Sequence, residues 1–130
     1  MNQTEKTGTN KSFYFFDTYA LFEVIRGNPK YEPYLDAQMA INIFNLAEFN
    51  YNLKKEYSKE KADAVTAKYK SRIVKIAWND IINAMDLKSK YRHLSIPHAV
   101  GYSVAKRLNI KFLTGDDDFK DFENVEFVKK

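Results

Sequence analysis

Short apolar runs alternate along the chain with longer segments in which apolar residues return every three or four positions. The short runs are typical of buried strands, whereas the longer segments have the period of helices that bury one face. The predicted strands are 12–16, 39–43, 111–114 and 125–128, and the predicted helices are 18–26, 29–35, 44–57, 59–71, 78–87 and 96–108, with 72–76 as a short strand or an extended link. Since strands alternate with helices, the pattern predicts an α/β fold around a parallel or mostly parallel sheet.

Polar residues mark where several of these helices begin. Asp17 or Thr18 can cap the first helix, and Ser58 and Ser95 can cap two later ones, because their side chains can accept a hydrogen bond from a free backbone N–H. The helix after Ser95 carries small residues that permit close packing on the sheet, namely Ala99, Gly101, Ser103 and Ala105.

The helix predicted at 44–57 has one mainly apolar face and one polar stripe. We expect its inward face to comprise Ile43, Leu46, Ala47, Asn50, Leu53 and Tyr57. The polar stripe comprises Asn45, Glu48 and Asn52. Glu48 is therefore expected near the start of the helix and off its apolar face.

The chain has 130 residues, of which 45% are apolar and 29% charged, as is typical of a globular protein. This length fits one domain, which we expect to span 12–130, with the polar residues 1–11 as a flexible N-terminal segment. The lack of cysteine excludes disulfides, thiolate catalysis and cysteine-ligated metal clusters. No apolar run is long enough to span a bilayer, and no signal peptide is recognisable, so we expect a cytoplasmic protein with no membrane partner.

The net charge of +4 is unevenly distributed. Residues 54–75 carry eight basic and three acidic side chains, whereas residues 112–130 carry three basic and six acidic ones. A basic segment can attract a polyanion such as RNA, although a solvated helix face has the same composition. Metal-dependent cleavage of phosphodiesters needs a basic surface and an acidic cluster, and the sequence contains both.

Three acidic residues from separate chain regions are candidates for one site. Asp17 follows the first predicted strand, Glu48 lies in the helix after the second, and Asp116 follows the third. Because the carboxyl ends of parallel strands meet at one edge of a sheet, we expect the three carboxylates to lie together. Carboxylates held together repel unless a cation joins them, and such oxygen ligands suit Mg²⁺ or Mn²⁺. Taken singly, each also fits an ordinary role as a helix cap, a solvated residue or part of a surface turn.

Several catalytic motifs are absent from the sequence. It has no G-x-x-x-x-G-K-[ST] phosphate loop, no G-x-G-x-x-G fingerprint and no G-x-S-x-G elbow. Its two histidines, His93 and His98, do not form an H-E-x-x-H pair. A phosphatase of the haloacid-dehalogenase type needs D-x-D after the first strand, and the segment that begins at Asp17 lacks the second aspartate.

Several segments resemble, in order, the motifs of the PIN domain family, most closely archaeal VapC-type toxins. One has an aspartate that ends the first strand, one is similar to the second acidic motif, and two are similar to the closing T-x-D-x-x-F motif and the last strand. These segments are 15–21, 45–49, 112–119 and 124–128, with 94–110 similar to the helix before the closing motif. The resemblance covers nearly the whole chain.

The resemblance implies a three-layer α/β/α sandwich around a central, mostly parallel sheet. It also implies an endoribonuclease that depends on Mg²⁺ or Mn²⁺ and hydrolyses RNA with a metal-activated water. VapC-type members are usually homodimers silenced by a VapB-type antitoxin. RNA, an antitoxin and a second copy of the chain are therefore the expected partners.

The matching positions suggest roles for individual residues. By resemblance, Asp17, Glu48 and Asp116 would be the catalytic acids, as metal ligands or as groups that orient the hydrolytic water. Thr114 would form a hydrogen bond within the acidic site. Asn45 would support the second motif, and Asp118 would be either an outer acid or part of the local structure.

One position departs from the family pattern. The family usually carries an aspartate at the start of the helix before the closing strand, where this sequence has His98. A neutral imidazole can ligate a metal, with a preference for Mn²⁺ or Zn²⁺ over Mg²⁺. Alternatively, the lost negative charge leaves a catalytically impaired module that acts by binding RNA or an antitoxin, or His98 only packs near the helix start.

Tyrosines accompany basic residues in the middle of the chain. They are Tyr51, Tyr57, Tyr69 and Tyr91. Interleaved aromatic and basic side chains can bind single-stranded RNA through stacking and phosphate contacts. Packing in the core or in a dimer is the alternative use for most of them.

Overall fold

A computed structural model describes residues 12–130, so the predicted flexible segment 1–11 lies outside the described residues. The strands are β1 (Phe13–Phe16), β2 (Gln38–Ala40), β3 (Lys111–Thr114) and β4 (Val125–Phe127). The helices are α1 (Thr18–Ile25), α2 (Ile43–Glu56), α3 (Lys59–Ala67), α4 (Trp78–Lys90) and α5 (Ile96–Arg107), with 3₁₀ turns at Pro29–Tyr34, Lys70–Arg72 and Asp117–Phe119.

Two predicted helices differ from their observed form. The segment at 29–35 is a 3₁₀ helix over Pro29–Tyr34, since Pro33 lies inside it and lacks the N–H that a regular helix would donate to the carbonyl of Pro29. The helix predicted at 59–71 ends at Ala67, and a separate 3₁₀ turn follows. Tyr69 lies between the two and places its ring against Phe49, with 5.7 Å between ring centroids.

The four strands form one parallel sheet in the order β2-β1-β3-β4. This confirms the predicted parallel sheet. The segment 72–76 extends the β2 edge only through a single parallel bridge between Ile41 and Ile73. All four strands end at the same edge, so the residues that follow β1 and β3 are neighbours.

Helices cover both faces of the sheet, because successive strand residues point to opposite sides. Phe15 and Phe112 pack with apolar residues of α4 and α5. Phe16 and Leu113 pack with apolar residues of α1, α2 and α3. The predicted three-layer α/β/α arrangement is therefore confirmed. Among residues 12–130, no helix combines the length and the apolar content needed to cross a bilayer.

Close packing sets the height of α5 above the sheet. A Cβ atom at Gly101 would lie 3.0 Å from the Phe15 ring and 3.2 Å from the Phe112 ring. The glycine thus lets α5 approach the sheet directly. This contact places the first turn of α5, which carries His98, over the carboxyl ends of β1 and β3.

The predicted inward face of α2 is wrong in part. Ile43 is 60% exposed, and Ala47 and Tyr57 also face solvent. The buried apolar residues are Leu46, Phe49 and Leu53. The physical reason is a capping box at the helix start, described below, which fixes the rotation of α2 about its axis.

Candidate functional site

Asp17 stands at the first position before α1, but its carboxylate does not cap that helix. Its backbone N–H donates to Leu113 O at 3.0 Å, which fixes it between β1 and β3. Its Oδ2 accepts a hydrogen bond from Thr114 Oγ1 at 2.8 Å, and its Oδ1 lies 3.5 Å from His98 Nε2. The side chain of Asp17 is therefore turned away from the helix and towards the other candidate residues.

Burial raises the pKa of Asp17 above its ordinary value. The nearby His98, the Thr114 hydroxyl and the Thr18 backbone act in the opposite direction without cancelling this effect. The negative charge of Glu48 also raises the pKa of Asp17, as the smallest of these effects. A carboxylate buried in this way is a place where a cation would relieve an electrostatic cost.

Asp116 is tied to the same site through Thr114. The Asp116 backbone N–H donates to Thr114 Oγ1 at 3.1 Å, while that hydroxyl donates to Asp17. Asp116 Oδ1 accepts from the backbone N–H of Asp118 at 2.9 Å, and its Oδ2 lies 3.7 Å from His98 Nδ1. The Thr114 hydroxyl thus connects Asp17, which follows β1, with Asp116, which follows β3.

His98 lies between the two aspartates. It sits in the first turn of α5, and its backbone N–H donates to Ser95 Oγ, which is the predicted cap. Its ring packs edge-on against Phe119, with 5.6 Å between centroids. Nδ1 is buried and has no hydrogen-bond partner among residues 12–130. His98 therefore does more than pack near the helix start, since its two ring nitrogens lie close to the carboxylates of Asp17 and Asp116.

Glu48 lies half-buried on the polar side of α2. Its Oε1 is shielded from solvent and lacks a hydrogen-bond partner within the described part of the chain. Among residues 12–130, no hydrogen bond or ion pair joins Glu48 directly to Asp17 or Asp116. Its connection to the site is the electrostatic effect on Asp17.

Asn45 forms hydrogen bonds that hold the start of α2, the helix that carries Glu48, in place. Its Oδ1 accepts from the Asn42 backbone N–H at 2.7 Å, and its own backbone N–H donates to Asn42 Oδ1 at 2.9 Å. Its Nδ2 donates to the carbonyl of Phe16 at 2.9 Å. This capping box joins the start of α2 to the end of β1 and so fixes where Glu48 stands. Sequence reasoning missed Asn42: an asparagine can cap a helix, but the residue three positions later is Asn45 and not the Glu or Gln of the usual capping-box signal.

Asp118 and His93 form the outer rim. Ligand atoms of His98, Asp116 and Asp118 all lie within 4.8 Å of one another. Asp118 is exposed, and its Oδ1 lies 4.0 Å from His93 Nε2. Nothing in the sequence around His93 indicated that it would lie beside an acid of the site, because the contact depends on how the loop before α5 folds back.

The donor atoms at this edge fit a divalent cation. His98 Nδ1 is buried without a partner in residues 12–130 and lies 3.7 Å from Asp116 Oδ2, and Glu48 Oε1 is likewise buried without a partner there. Atoms of His98, Asp116 and Asp118 within 4.8 Å of one another, with Asp17 3.5 Å from the imidazole, form a mixed oxygen and nitrogen set, which suits Mn²⁺ better than Mg²⁺. A divalent ion held there would activate water and neutralise charge on a phosphate ester.

Comparisons with known proteins bear on the fold. The profile of the PIN domain family matches residues 14–125. No curated protein matches the sequence. Among solved structures, a toxin–antitoxin complex from Klebsiella pneumoniae is similar with a TM-score of 0.72 at 20% identity, covering 90% of this chain and 99% of that chain.

Two further solved structures have the same fold. VapBC2 from Rickettsia felis, bound to a DNA fragment from its promoter, has a TM-score of 0.70 at 18% identity and covers 91% of this chain and 98% of that chain. VapC20 from Mycobacterium tuberculosis, a sarcin–ricin loop cleaving toxin, has a TM-score of 0.70 at 17% identity, with coverage of 90% and 99%. The architecture built here from strands, layers and register is thus shared by proteins of very different sequence.

Proposed function

The chain belongs to the PIN domain family, and from that premise we propose that it is a metal-dependent endoribonuclease, the toxin of a toxin–antitoxin pair. The observation that carries the proposal is the cluster of Asp17, His98 and Asp116, with Glu48 acting electrostatically on Asp17. The sarcin–ricin loop cleaving toxin of similar fold supports RNA as the class of substrate.

The proposed cofactor is Mn²⁺ or Mg²⁺, held by Asp17, Glu48, His98 and Asp116. When bound, such an ion polarises phosphate oxygens and lowers the pKa of water. The chain's own hydrogen bonds decide which oxygens are left to face the site. Thr114 occupies Oδ2 of Asp17, so Oδ1 remains, and the Asp118 backbone occupies Oδ1 of Asp116, so Oδ2 remains.

Glu48 is the best placed of the acids to accept a proton. Its Oε1 is buried and has no hydrogen-bond donor within residues 12–130. We assign to its Oε1 the proton of the water that attacks the RNA phosphorus, while the bond from phosphorus to the leaving ribose oxygen breaks and that oxygen takes up a proton from solvent. Asp17 and Asp116 would hold the ion that neutralises the phosphate, while Asn45 keeps α2 in register with the end of β1.

A catalytically impaired binding module is the second candidate function. The observation that favours it is the position of the His98 ring, whose two nitrogens lie 3.5 Å from Asp17 and 3.7 Å from Asp116. With His98 in place of an aspartate, the cluster has one negative charge fewer with which to hold a divalent cation. In that case the protein would act by binding RNA or an antitoxin without cleavage.

The proposed partners follow from the same family membership. Solved structures of similar fold include VapBC-1 from Haemophilus influenzae and VapBC2 from Rickettsia felis. They support a VapB-type antitoxin as the partner of this chain. A homodimer and a cytoplasmic location are further parts of the proposal.

The decisive experiment replaces the acids and measures RNA cleavage. Asp17→Asn and Asp116→Asn keep the size of each side chain but remove its charge, and each should lower the cleavage rate with Mn²⁺ by about 100-fold or more. Asp86→Asn, an exposed aspartate on α4, is the matched control and should cleave like the wild type. Wild-type rates in both Asp17→Asn and Asp116→Asn would rule out the proposed nuclease site.

A further inference from the structure

Helix α2 carries exposed side chains on the same side as Glu48, one turn before it at Phe44 and after it at Tyr51 and Lys55. At about 100° per residue, Phe44, Tyr51 and Lys55 all lie within about 60° of Glu48 around the helix axis. The opposite side of the helix packs in the core. A ligand that reaches Glu48 along α2 would therefore meet these side chains before or after it.

Tyr51 and Lys55 form a pair on this side of α2. Lys55 Nζ lies 4.6 Å from the centroid of the Tyr51 ring, one helical turn away. Tyr51 remains 64% exposed with the lysine in place, so ring surface is still open to a ligand. Lys55 is about 10 Å beyond Glu48 along the helix axis, which is within the reach of a few nucleotides of an extended strand.

The positive charge of Lys55 is less compensated than that of its neighbours. Lys54 and Lys59 lie 3.1 Å and 2.8 Å from the carboxylate of Asp63. Among residues 12–130, Lys55 makes no ion pair with an acidic side chain, and its only described partner is the aromatic ring of Tyr51. Its ammonium group is available for an anionic ligand.

We propose that Tyr51 and Lys55 form a nucleotide subsite for single-stranded RNA. One unpaired base stacks on the Tyr51 ring, and the ammonium group of Lys55 contacts a phosphate next to that base. The inference rests on the proposed function, because Glu48 marks where the RNA backbone is cut. Bases in a duplex are already stacked, so the subsite selects unpaired RNA and fixes how far the cleaved bond lies from the stacked base.

The chain contains a matched control for this pair. Lys61 Nζ lies 4.5 Å from the Tyr57 ring centroid, and Tyr57 is 40% exposed. This second pair borders a surface groove with Ile25, Leu53 and Val65, on the side of α2 away from Glu48. It has the same chemistry and nearly the same geometry, but lies on another surface.

The first test measures affinity for a short unstructured oligoribonucleotide, with Asp17→Asn as the background so that cleavage is slow during the measurement. Adding Tyr51→Leu should raise the dissociation constant by about 5- to 150-fold, since stacking on one base is lost. Tyr51→Phe keeps the ring and should bind like the background, as should Tyr57→Leu. Lys55→Gln should reduce the salt dependence of binding by about 0.7 in the log–log slope.

The second test separates stacking from a structural effect. Abasic sites are placed one at a time along the oligoribonucleotide. If Tyr51 stacks on a base, the loss caused by Tyr51→Leu should vanish for an abasic site at one position and persist at the others. A loss of the same size on every abasic probe would overturn the subsite.

Failure of this inference is distinguishable from failure of the proposed nuclease. Equal RNA affinities of the background and of the variant with added Tyr51→Leu would overturn the subsite and leave the surface of Tyr51 to a protein partner. The nuclease proposal is tested separately, by the rate at which the wild type cleaves RNA with Mn²⁺. Complete absence of RNA binding by the background would also overturn the subsite. A specific Tyr51 effect in a chain that never cleaves RNA would support the subsite and reject the nuclease.

Discussion

At the scale of single residues, Asp17 shows why local sequence leaves a functional acid ambiguous. An aspartate between a strand and a helix has the same local pattern whether it caps the helix or serves a site. The deciding contact is with Thr114, 97 positions further along the chain. No short window of sequence contains both residues, so the resemblance to a family was needed to favour the site.

Neutralising Asp17 should stabilise the metal-free protein at neutral pH. Burial raises its pKa in the folded state, so its contribution to stability is present at acidic pH and is lost as pH rises through that pKa. Asp17→Asn removes the buried charge and should raise the thermal midpoint by a few degrees in a chelator at pH 7, since about 1 kcal/mol moves the midpoint of a small domain by roughly 3–5 °C. Calorimetry at several pH values checks this.

The pH dependence provides the control for that prediction. The gain should shrink as the solution becomes acidic, because wild-type Asp17 is then protonated as well. Asp86→Asn, exposed on α4, should leave the midpoint unchanged at every pH. A lower midpoint for Asp17→Asn at pH 7 would mean that its carboxylate is stabilised as an anion by the fold.

His98 should set the metal preference of the proposed enzyme. An imidazole ligand favours Mn²⁺ over Mg²⁺, whereas a carboxylate suits both. His98→Asp should lower Mn²⁺-supported cleavage by about 10- to 100-fold and narrow the difference between the two metals. Cleavage rates measured with each metal provide the test. A large gain in rate with both metals would instead favour the impaired-module hypothesis.

At the scale of elements, periodicity predicted which segments are helices or strands better than it predicted how they are rotated. Strand β3 was predicted to the residue, because Lys111–Thr114 is a short apolar run before a glycine. The face of α2 was partly wrong, because several apolar residues lie on more than one side of that helix. Hydrogen bonds between Asn42 and Asn45 decide the rotation, and a hydropathy pattern does not contain them.

Asn45 should therefore matter for stability and for the position of Glu48 alike. Asn45→Ala removes half of the capping box and leaves the buried carbonyl of Phe16 without its donor. The expected loss in the free energy of unfolding is about 2–4 kcal/mol, measured by urea denaturation. Asn52→Ala, a half-buried asparagine on the same helix, should change it by less than about 0.5 kcal/mol. Similar losses of unfolding free energy in the two variants would show that the hydrogen bonds of the Asn45 side chain do not stabilise the fold.

At the scale of the whole molecule, the sequence pattern predicted the parallel sheet and the edge at which Asp17 and Asp116 lie, and the family resemblance implied the three layers. Neither predicted how the side chains of the site are arranged relative to one another. His98 faces both aspartates only because α5 is held close to the sheet at Gly101, and His93 approaches Asp118 only because the preceding loop folds back. Both contacts depend on the height and curvature of elements, which tertiary packing determines.

The Thr114 hydroxyl has a single proton, so it can donate only one hydrogen bond, and Asp17 accepts that bond. The Asp116 backbone N–H donates to Thr114 Oγ1, and that hydroxyl donates to Asp17 Oδ2, so these two dipoles reinforce each other and converge on the Asp17 carboxylate. The Asp118 N–H ends separately on the carboxylate of Asp116. The hydrogen bonds of the Thr114 hydroxyl join the end of β1 to the end of β3. Any motion that separated the two strand ends would leave the buried Thr114 hydroxyl without an acceptor for its proton.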